Sequence, residues 1–286
     1  MIARVDKQNK PHILLRERVP LRFGTDAFQY KYFRKETFKY AKEVFLDFKK
    51  KLNDYKVKEY RAFATSAFRD SMNAAELSAY IKKHCSIEIK TISGKKEAEL
   101  IQKGVKHFVD LSHRDSIIID IGGGSVELIK SHNERILDIQ SLDIGTVRLL
   151  KLFKEKPKSD VLKNISKDFE AFVQKNINHL KHHHLSIIGS GGNLRRMGKL
   201  RKKILGKRSA FKITHKELLE LIEILDQKKK KQLIDNYQIT SDRAEVIIPA
   251  MLIIDKFLEL QREKTLLLPP CGLGDGILNE IINDIH

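Results

Sequence analysis

Cysteine is scarce in this chain of 286 residues, and the two that occur, Cys85 and Cys271, have no metal-ligand spacing. That excludes a disulfide framework and a cysteine-based zinc site, and it leads us to expect reduced thiols in a cytoplasmic protein. Cys271, beside Gly272, reads as a small buried residue rather than a reactive thiol. No apolar run approaches the length of a membrane span, and the amino terminus has no signal-peptide pattern. No low-complexity linker or internal repeat is evident. The cluster His182-His183-His184 lacks i, i+4 spacing and reads as an exposed helix end rather than a metal site. With 41% hydrophobic residues, the chain has enough apolar material for two cores.

Charge, by contrast, is abundant and lopsided. Lys and Arg number 55 against 37 Asp and Glu, a net charge of +18. Between Arg195 and Lys231 there are 14 basic and 4 acidic residues. Such a surface attracts polyanions and makes their binding salt-sensitive. A solvated, lysine-rich helical surface would give the same count. Few aromatics interleave the basic segment and it contains no recognisable binding module, so nucleic acid is the disfavoured polyanion.

Apolar periodicity predicts an alternating α/β chain. Strands are expected around Ile13 to Leu21, Val57 to Phe63, Ile87 to Ile92 and Ile117 to Ile121, with hairpin strands over Val126 to Lys130 and Arg135 to Leu142. Phe38, Ala41, Val44, Phe45, Phe48 and Leu52 line one helical face. Further helices are expected over Val161 to Leu180, Leu194 to Lys203, His215 to Asp226, Arg243 to Leu260 with a kink at Pro249, and Ile277 to Ile285. The polar stretch Ser112 to Ser116 suggests a boundary, giving domains 1–114 and 115–286, with the last helix packing back on the first.

The chemistry concentrates at Ile117-Ile118-Ile119-Asp120-Ile121-Gly122-Gly123-Gly124-Ser125-Val126-Glu127-Leu128. A buried strand ends in a carboxylate, and three glycines let backbone N–H groups wrap a phosphate. Asp120 and Glu127 bracket the turn, where they could hold a hard divalent cation or a water. The design recurs at Ser186-Ile187-Ile188-Gly189-Ser190-Gly191-Gly192-Asn193, ahead of a basic helix whose amino terminus favours an anion. Ser93-Gly94 reads as a helix start with Ala98, Leu100, Ile101, Val105 and Phe108 on its apolar face, which places Glu97 in the first turn. Arg69 closes Thr65-Ser66-Ala67-Phe68-Arg69, where a guanidinium fork and two hydroxyls suit phosphate oxygens; an Arg69 to Asp70 surface pair is the alternative. Arg148 and Arg243 could also face the cleft or a solvated helix face.

These segments resemble, in order, the Ppx/GppA family of exopolyphosphatases and guanosine pentaphosphate (pppGpp) phosphohydrolases. The matches are Ala64 to Asp70 with Asn73, Ile92 to Glu99, Asp120 to Leu128, Leu142 to Leu149, Gly189 to Asn193 and Gly272-Leu273-Gly274-Asp275-Gly276. The resemblance implies two ribonuclease-H-like, actin-like domains of the sugar kinase and acetate kinase superfamily, with the substrate in the cleft between them. It implies Glu97 as the base acting on water, and Asp120 and Glu127 as carboxylates holding Mg²⁺, or another divalent cation, or a water. Thr65, Ser66, Arg69, Gly122, Gly123, Gly124, Ser125, Gly191, Gly192 and Asn193 become phosphate contacts, with inorganic polyphosphate or pppGpp as substrate. It also suggests a homodimer. An ATP-using kinase of the superfamily is disfavoured by the Glu97 pattern, and a catalytically weak binding protein is the reading of a different class.

Three departures accompany the resemblance. The family opens on a strand and a first phosphate loop of the type Asp-Ile-Gly-Ser-Asn-Ser, whereas Met1-Ile2-Ala3-Arg4-Val5 reads as the end of the second strand. The expectation is a start downstream of the natural one, with unpaired strand edges in the first domain. Gly274 stands where the family often has arginine in Gly-Leu-Arg-Glu-Gly. Lys96 replaces an acidic neighbour of the catalytic glutamate, either depressing the pKa of Glu97 or pointing to solvent.

Overall fold

The computed structural model describes residues 1–177 and 185–285, so the expected end of the Val161 to Leu180 helix and the His182-His183-His184 cluster lie outside the described residues. The first half runs β1 (Ile2–Val5), β2 (Pro11–Leu15), α1 (Phe23–Tyr30), α2 (Lys35–Asp54), β3 (Phe63–Ala64), α3 (Ser66–Asp70), α4 (Ala74–Cys85), β4 (Lys90–Thr91) and α5 (Gly94–Lys106). The second runs β5 (Asp115–Ile121), β6 (Val126–His132), β7 (Arg135–Leu142), α6 (Thr146–Glu155), α7 (Lys158–Asn176), β8 (Leu185–Ser190), α8 (Gly191–Ile204) and β9 (Lys212–Thr214). It ends with α9 (His215–Asp226), α10 (Lys230–Tyr237), α11 (Ser241–Ala244), α12 (Ile247–Glu259), β10 (Thr265–Leu267) and α13 (Leu273–Ile285).

One mixed sheet, ordered β7-β6-β5-β8-β10-β9, organises the second half. β5 is antiparallel to β6 and parallel to β8, so the carboxyl ends of β5 and β8 open side by side. Every residue of β5 is buried, as its isoleucine run requires of a strand covered on both faces. Phe169, Phe257, Leu221 and Ile254 belong to the core on one face of this sheet. On the other, Ala98, Ile101 and Val105 of α5 share a core with Ile118, Ile129 and Ile188. α5, on the amino-terminal side of the expected boundary near Ser112 to Ser116, therefore packs with β5, β6 and β8. Phe108 falls past the end of α5 and is exposed rather than on its apolar face.

α13 lies on α5, and glycines set how close they come. A Cβ on Gly104 would stand 2.9 Å from the Gly272 carbonyl oxygen, and one on Gly276 would overlap the Leu100 carbonyl oxygen. Leu273 to Gly276 thus form the first turn of α13, which begins four residues ahead of the expected helix start at Ile277.

The first half has a separate core built on Phe28, Phe33, Phe68, Leu77 and Ile81, joined by Phe38, Phe45, Phe48 and Leu52 of the expected α2 face. Its strands are shorter than their sequence stretches because only the residues that find a partner form ladders. β1 and β2 make an antiparallel ribbon and β3 and β4 a parallel one. Among the described residues no strand joins the two ribbons in the way β5 joins β6 to β8.

The expected kinked helix over Arg243 to Leu260 is two helices, α11 and α12, parted at Glu245 and Val246. Pro249 sits in the first turn of α12, where a missing N–H leaves no helical hydrogen bond unmade, so it begins the helix rather than bending it.

Candidate active site

Three carboxylates from three elements meet where β5 ends. Asp120 on β5 lies directly opposite Glu127 on β6 and directly opposite Ser190 on β8. Cross-strand partners share one face of the sheet, so Asp120 stands between the other two side chains. Ser93 caps α5 by accepting from the Lys96 N–H, and this places Glu97 in the first turn, buried over the same region. Arg69 donates to Glu97 Oε2 at 3.0 Å and to the Ile92 carbonyl at 2.9 Å. Arg69 therefore pairs with Glu97, while Asp70 is taken by Arg148 and Lys31.

Crowding three acids into a buried space raises their pKa values. Glu127, fully buried, is pushed up to about 8 by desolvation and by the charges of Glu97 and Asp120; hydrogen bonds from Ser125 (2.5 Å) and Ser141 (3.1 Å) to Oε1 offset part of the rise. Burial pushes Asp120 up, with Ser190 and Arg195 pulling the other way. Burial raises Glu97 as well, despite Arg69. Lys96 neither tunes Glu97 nor points to solvent, since its ammonium is 2.6 Å from Glu280 on α13. Asp120 Oδ1 and Glu127 Oε2 are buried without a hydrogen-bond partner.

The glycine turn is closed by Gly122 N–H donating to Ser125 O at 3.0 Å. Its carbonyls face α6: Thr146 N–H donates to Gly122 O and Val147 N–H to Gly123 O, at 3.0 and 2.8 Å. Arg148 Nε adds a 2.6 Å bond to Gly124 O. With the carbonyls engaged on that side, the N–H groups of Gly123, Gly124 and Ser125 have no acceptor among the described residues. That is the geometry of an anion-binding turn. Ser66 and Phe28 of the first half pack directly on Gly124, with Ser66 Oγ 2.7 Å from where a Cβ would stand. The Thr65 carbonyl accepts from the Phe68 and Arg69 N–H groups of α3.

The second loop is tied in by Gly191 N–H donating to Cys271 O at 3.1 Å. Gly191 has φ +91°, and a Cβ there would stand 2.6 Å from Asp120 Oδ1, so glycine is required both for the backbone and for the carboxylate beside it. Gly192 and Asn193 follow in the first turn of α8. The Cys271 thiol is buried and pushed up to about 12, which makes it inert. Next to both loops, a cavity of about 740 Å³ lies between residues 18–29 and the helices α6 and α11, touching Gly123 and Asn193.

The structure thus gathers Glu97, Asp120, Glu127, Arg69, Ser66 and both glycine loops. Arg148 is instead a clasp, held by Gly124 O and Asp70 and stacked 4.5 Å from the centre of the Phe28 ring. Ser141, Ser190 and Phe28 escaped the sequence reading. Ser190 carried a usable signal, as the residue of β8 that precedes a helix-opening glycine pair.

Among the described residues no group of three or more His, Cys, Asp or Glu side chains is arranged to hold a metal ion. Mg²⁺, however, uses one or two carboxylates and takes its other ligands from water and phosphate. The two unpartnered oxygens of Asp120 and Glu127, on opposed residues, fit that requirement.

A buried acid cluster thus lies between two glycine loops, an arrangement suited to phosphate chemistry. The Ppx/GppA phosphatase family model matches residues 1–284, and the chain belongs to that family. The bifunctional 3-dehydroquinate synthase/phosphatase of Fusobacterium nucleatum is 28% identical over 274 residues, covering 91% of this chain and 41% of that protein. The chain therefore spans well under half of that relative's length. An exopolyphosphatase from Cytophaga hutchinsonii superposes with a TM-score of 0.86 at 24% identity, over 99% of this chain and 93% of the other. A Ppx/GppA member from Aquifex aeolicus gives 0.78 at 22%, over 99% and 94%. At these identities the likeness establishes a shared fold. No helix among the described residues is long and apolar enough to cross a membrane.

Proposed function

We propose that this chain is an exopolyphosphatase, releasing the terminal phosphate of inorganic polyphosphate by attack of water. The observation that carries the reading is the convergence of Glu97, Asp120 and Glu127 beside turn N–H groups that have no acceptor. Glu97 is the base. Burial raises its proton affinity, and Arg69 holds one of its oxygens in place, so the other can take the proton from water. As the water oxygen bonds to the terminal phosphorus, the bridging P–O bond breaks and the shortened chain leaves as a phosphate anion. The N–H groups of Gly123, Gly124 and Ser125, the amino terminus of α8 and Arg69 stabilise the charge on the phosphoryl oxygens. Asp120 and Glu127 would hold Mg²⁺, which when bound supplies charge neutralisation at those oxygens.

Phosphate release from long-chain polyphosphate with Mg²⁺ tests this. Glu97→Gln is expected to lower kcat about 10²- to 10⁴-fold with the melting temperature retained. Undiminished release in that variant would remove Glu97 from the chemistry; binding without turnover in the wild type would favour a binding protein. A second reading, hydrolysis of the 5′ phosphate of pppGpp, is favoured by the cavity beside Gly123 and Asn193, whose apolar wall includes Leu21, Phe23, Val147 and Leu150. The ratio of kcat/KM for the two substrates decides between them.

A further inference from the structure

Glu127 is gripped by one of its two oxygens. Ser125, two residues back along the chain, and Ser141, directly opposite on β7, both donate to Oε1, at 2.5 and 3.1 Å. Oε2 of the same carboxylate is buried without a hydrogen-bond partner, as is Asp120 Oδ1 on the neighbouring strand. The terminal torsion of a glutamate is broad and roughly two-fold. One donor fixes where an oxygen lies but leaves the carboxylate free to swing about that contact. Two donors from different strands fix its plane as well, and with it the direction of Oε2.

The two serines are not equivalent. Ser125 belongs to the glycine turn and is buried, whereas Ser141 is an exposed residue of β7, the edge strand of the sheet. Water can satisfy a hydroxyl at such a place, so Ser141 does not need Glu127 for its own hydrogen bonding. Truncating an exposed side chain also costs the fold little. What remains for Ser141 is the orientation of Glu127. Its other side touches the start of α5. A Cβ on Gly94 would stand 3.2 Å from Ser141 Cβ and 3.3 Å from Ser141 Oγ, with Arg69 Nη2 at 4.0 Å. Gly94 opens α5, and Glu97 follows three residues later, bonded to that same Arg69. The Ser141 side chain therefore sits between Glu127 and the beginning of the helix that carries Glu97.

We propose that Ser141 is a positioning residue. It sets the Glu127 carboxylate so that Oε2, together with Asp120 Oδ1, is presented to Mg²⁺, and it keeps that pair of oxygens in register with Glu97 through its contact with Gly94. This rests on the reading of Asp120 and Glu127 as the residues that hold Mg²⁺. Hydrogen-bond partners that orient a ligating carboxylate are worth about 10- to 100-fold in metal affinity.

Calorimetric titration with Mg²⁺ in the presence of orthophosphate, on the full chain and on Ser141→Ala, Ser141→Thr and Glu127→Gln, tests the role without requiring turnover. Ser141→Ala is expected to bind Mg²⁺ about 10- to 100-fold more weakly than the wild type. Its melting temperature in chelator stays within about 2 °C of the wild type. Ser141→Thr, which keeps the hydroxyl, recovers most of the affinity. Undiminished Mg²⁺ binding by Ser141→Ala, alongside a loss in Glu127→Gln, would overturn the positioning role and leave Glu127 as the carboxylate that holds the metal. A loss that Ser141→Thr does not recover, or that comes with a lower melting temperature in chelator, would also overturn it, by reducing Ser141 to a structural contact. If the wild type and Glu127→Gln respond alike to Mg²⁺, the metal reading itself fails and the proposal falls with it.

Discussion

Glu127 is fully buried with one oxygen unpartnered, and its neighbours include two further acids. Protonation relieves that arrangement. A carboxyl near 8 in the folded state and near 4.5 when unfolded binds its proton more tightly in the fold. It therefore contributes stability that is fully present below about pH 4.5 and is lost as pH rises through about 8. Asp120 and Glu97, also raised, act in the same direction. In chelator, the melting temperature is expected to fall by several degrees, about 4 °C or more, between pH 5.5 and 8.5. Glu127→Gln should flatten that slope, and an unchanged slope would mean that Glu127 is not the group protonated. Glu217 behaves oppositely: bidentate contact with Arg201 holds it at about 2, so its contribution persists until strongly acid pH. At pH 8, Mg²⁺ is expected to raise the melting temperature of the wild type and not that of Asp120→Asn.

Among the elements, the α5–α13 contact positions Glu97, because α5 carries this proposed base and α13 holds the far side of the helix. Lys96 and Lys103 both reach Glu280 across this contact, at 2.6 and 2.8 Å. Gly276→Ala would force a methyl onto the Leu100 carbonyl and push the helices apart. The expected loss is about 1–3 kcal/mol in urea denaturation, with a fall in kcat because Glu97 shifts against Asp120. A variant that unfolds like the wild type would show that the contact yields freely. The β6–β7 hairpin illustrates what sequence could and could not reveal at this scale. Asn133 and Glu134, both with positive φ, form a two-residue turn. Counting back from that turn would place Gln140 opposite Glu127. A bulge between Lys130 and Ser131 shifts the pairing by one residue, so Ser141 stands there instead and donates to Glu127. The strands were legible from their alternation; the partner was not, because a bulge leaves no local signature.

Across the whole molecule, the two halves differ in how well their strands are tied. β5 is paired on both sides, whereas the first half holds two separate two-stranded ribbons, a form with little independent stability. Amide hydrogen exchange is expected to be fastest in β1–β2 and β3–β4 and slowest in β5 and β8; uniform protection would contradict this. Arg148 bridges the halves through Asp70 and Gly124, and Arg18 does so through Asp242. The sequence by itself determined the glycine turns, the strand ending at Asp120 and the first-turn place of Glu97, because each depends on residues adjacent in the chain. Only the tertiary structure decided that Glu97 meets Arg69 from 28 residues away, that Lys96 is spent on Glu280, and that Arg18 joins Arg243 beside α8. Those meetings come from which helix faces pack on which side of one sheet, and burial periodicity marks a face as apolar without naming the face it covers.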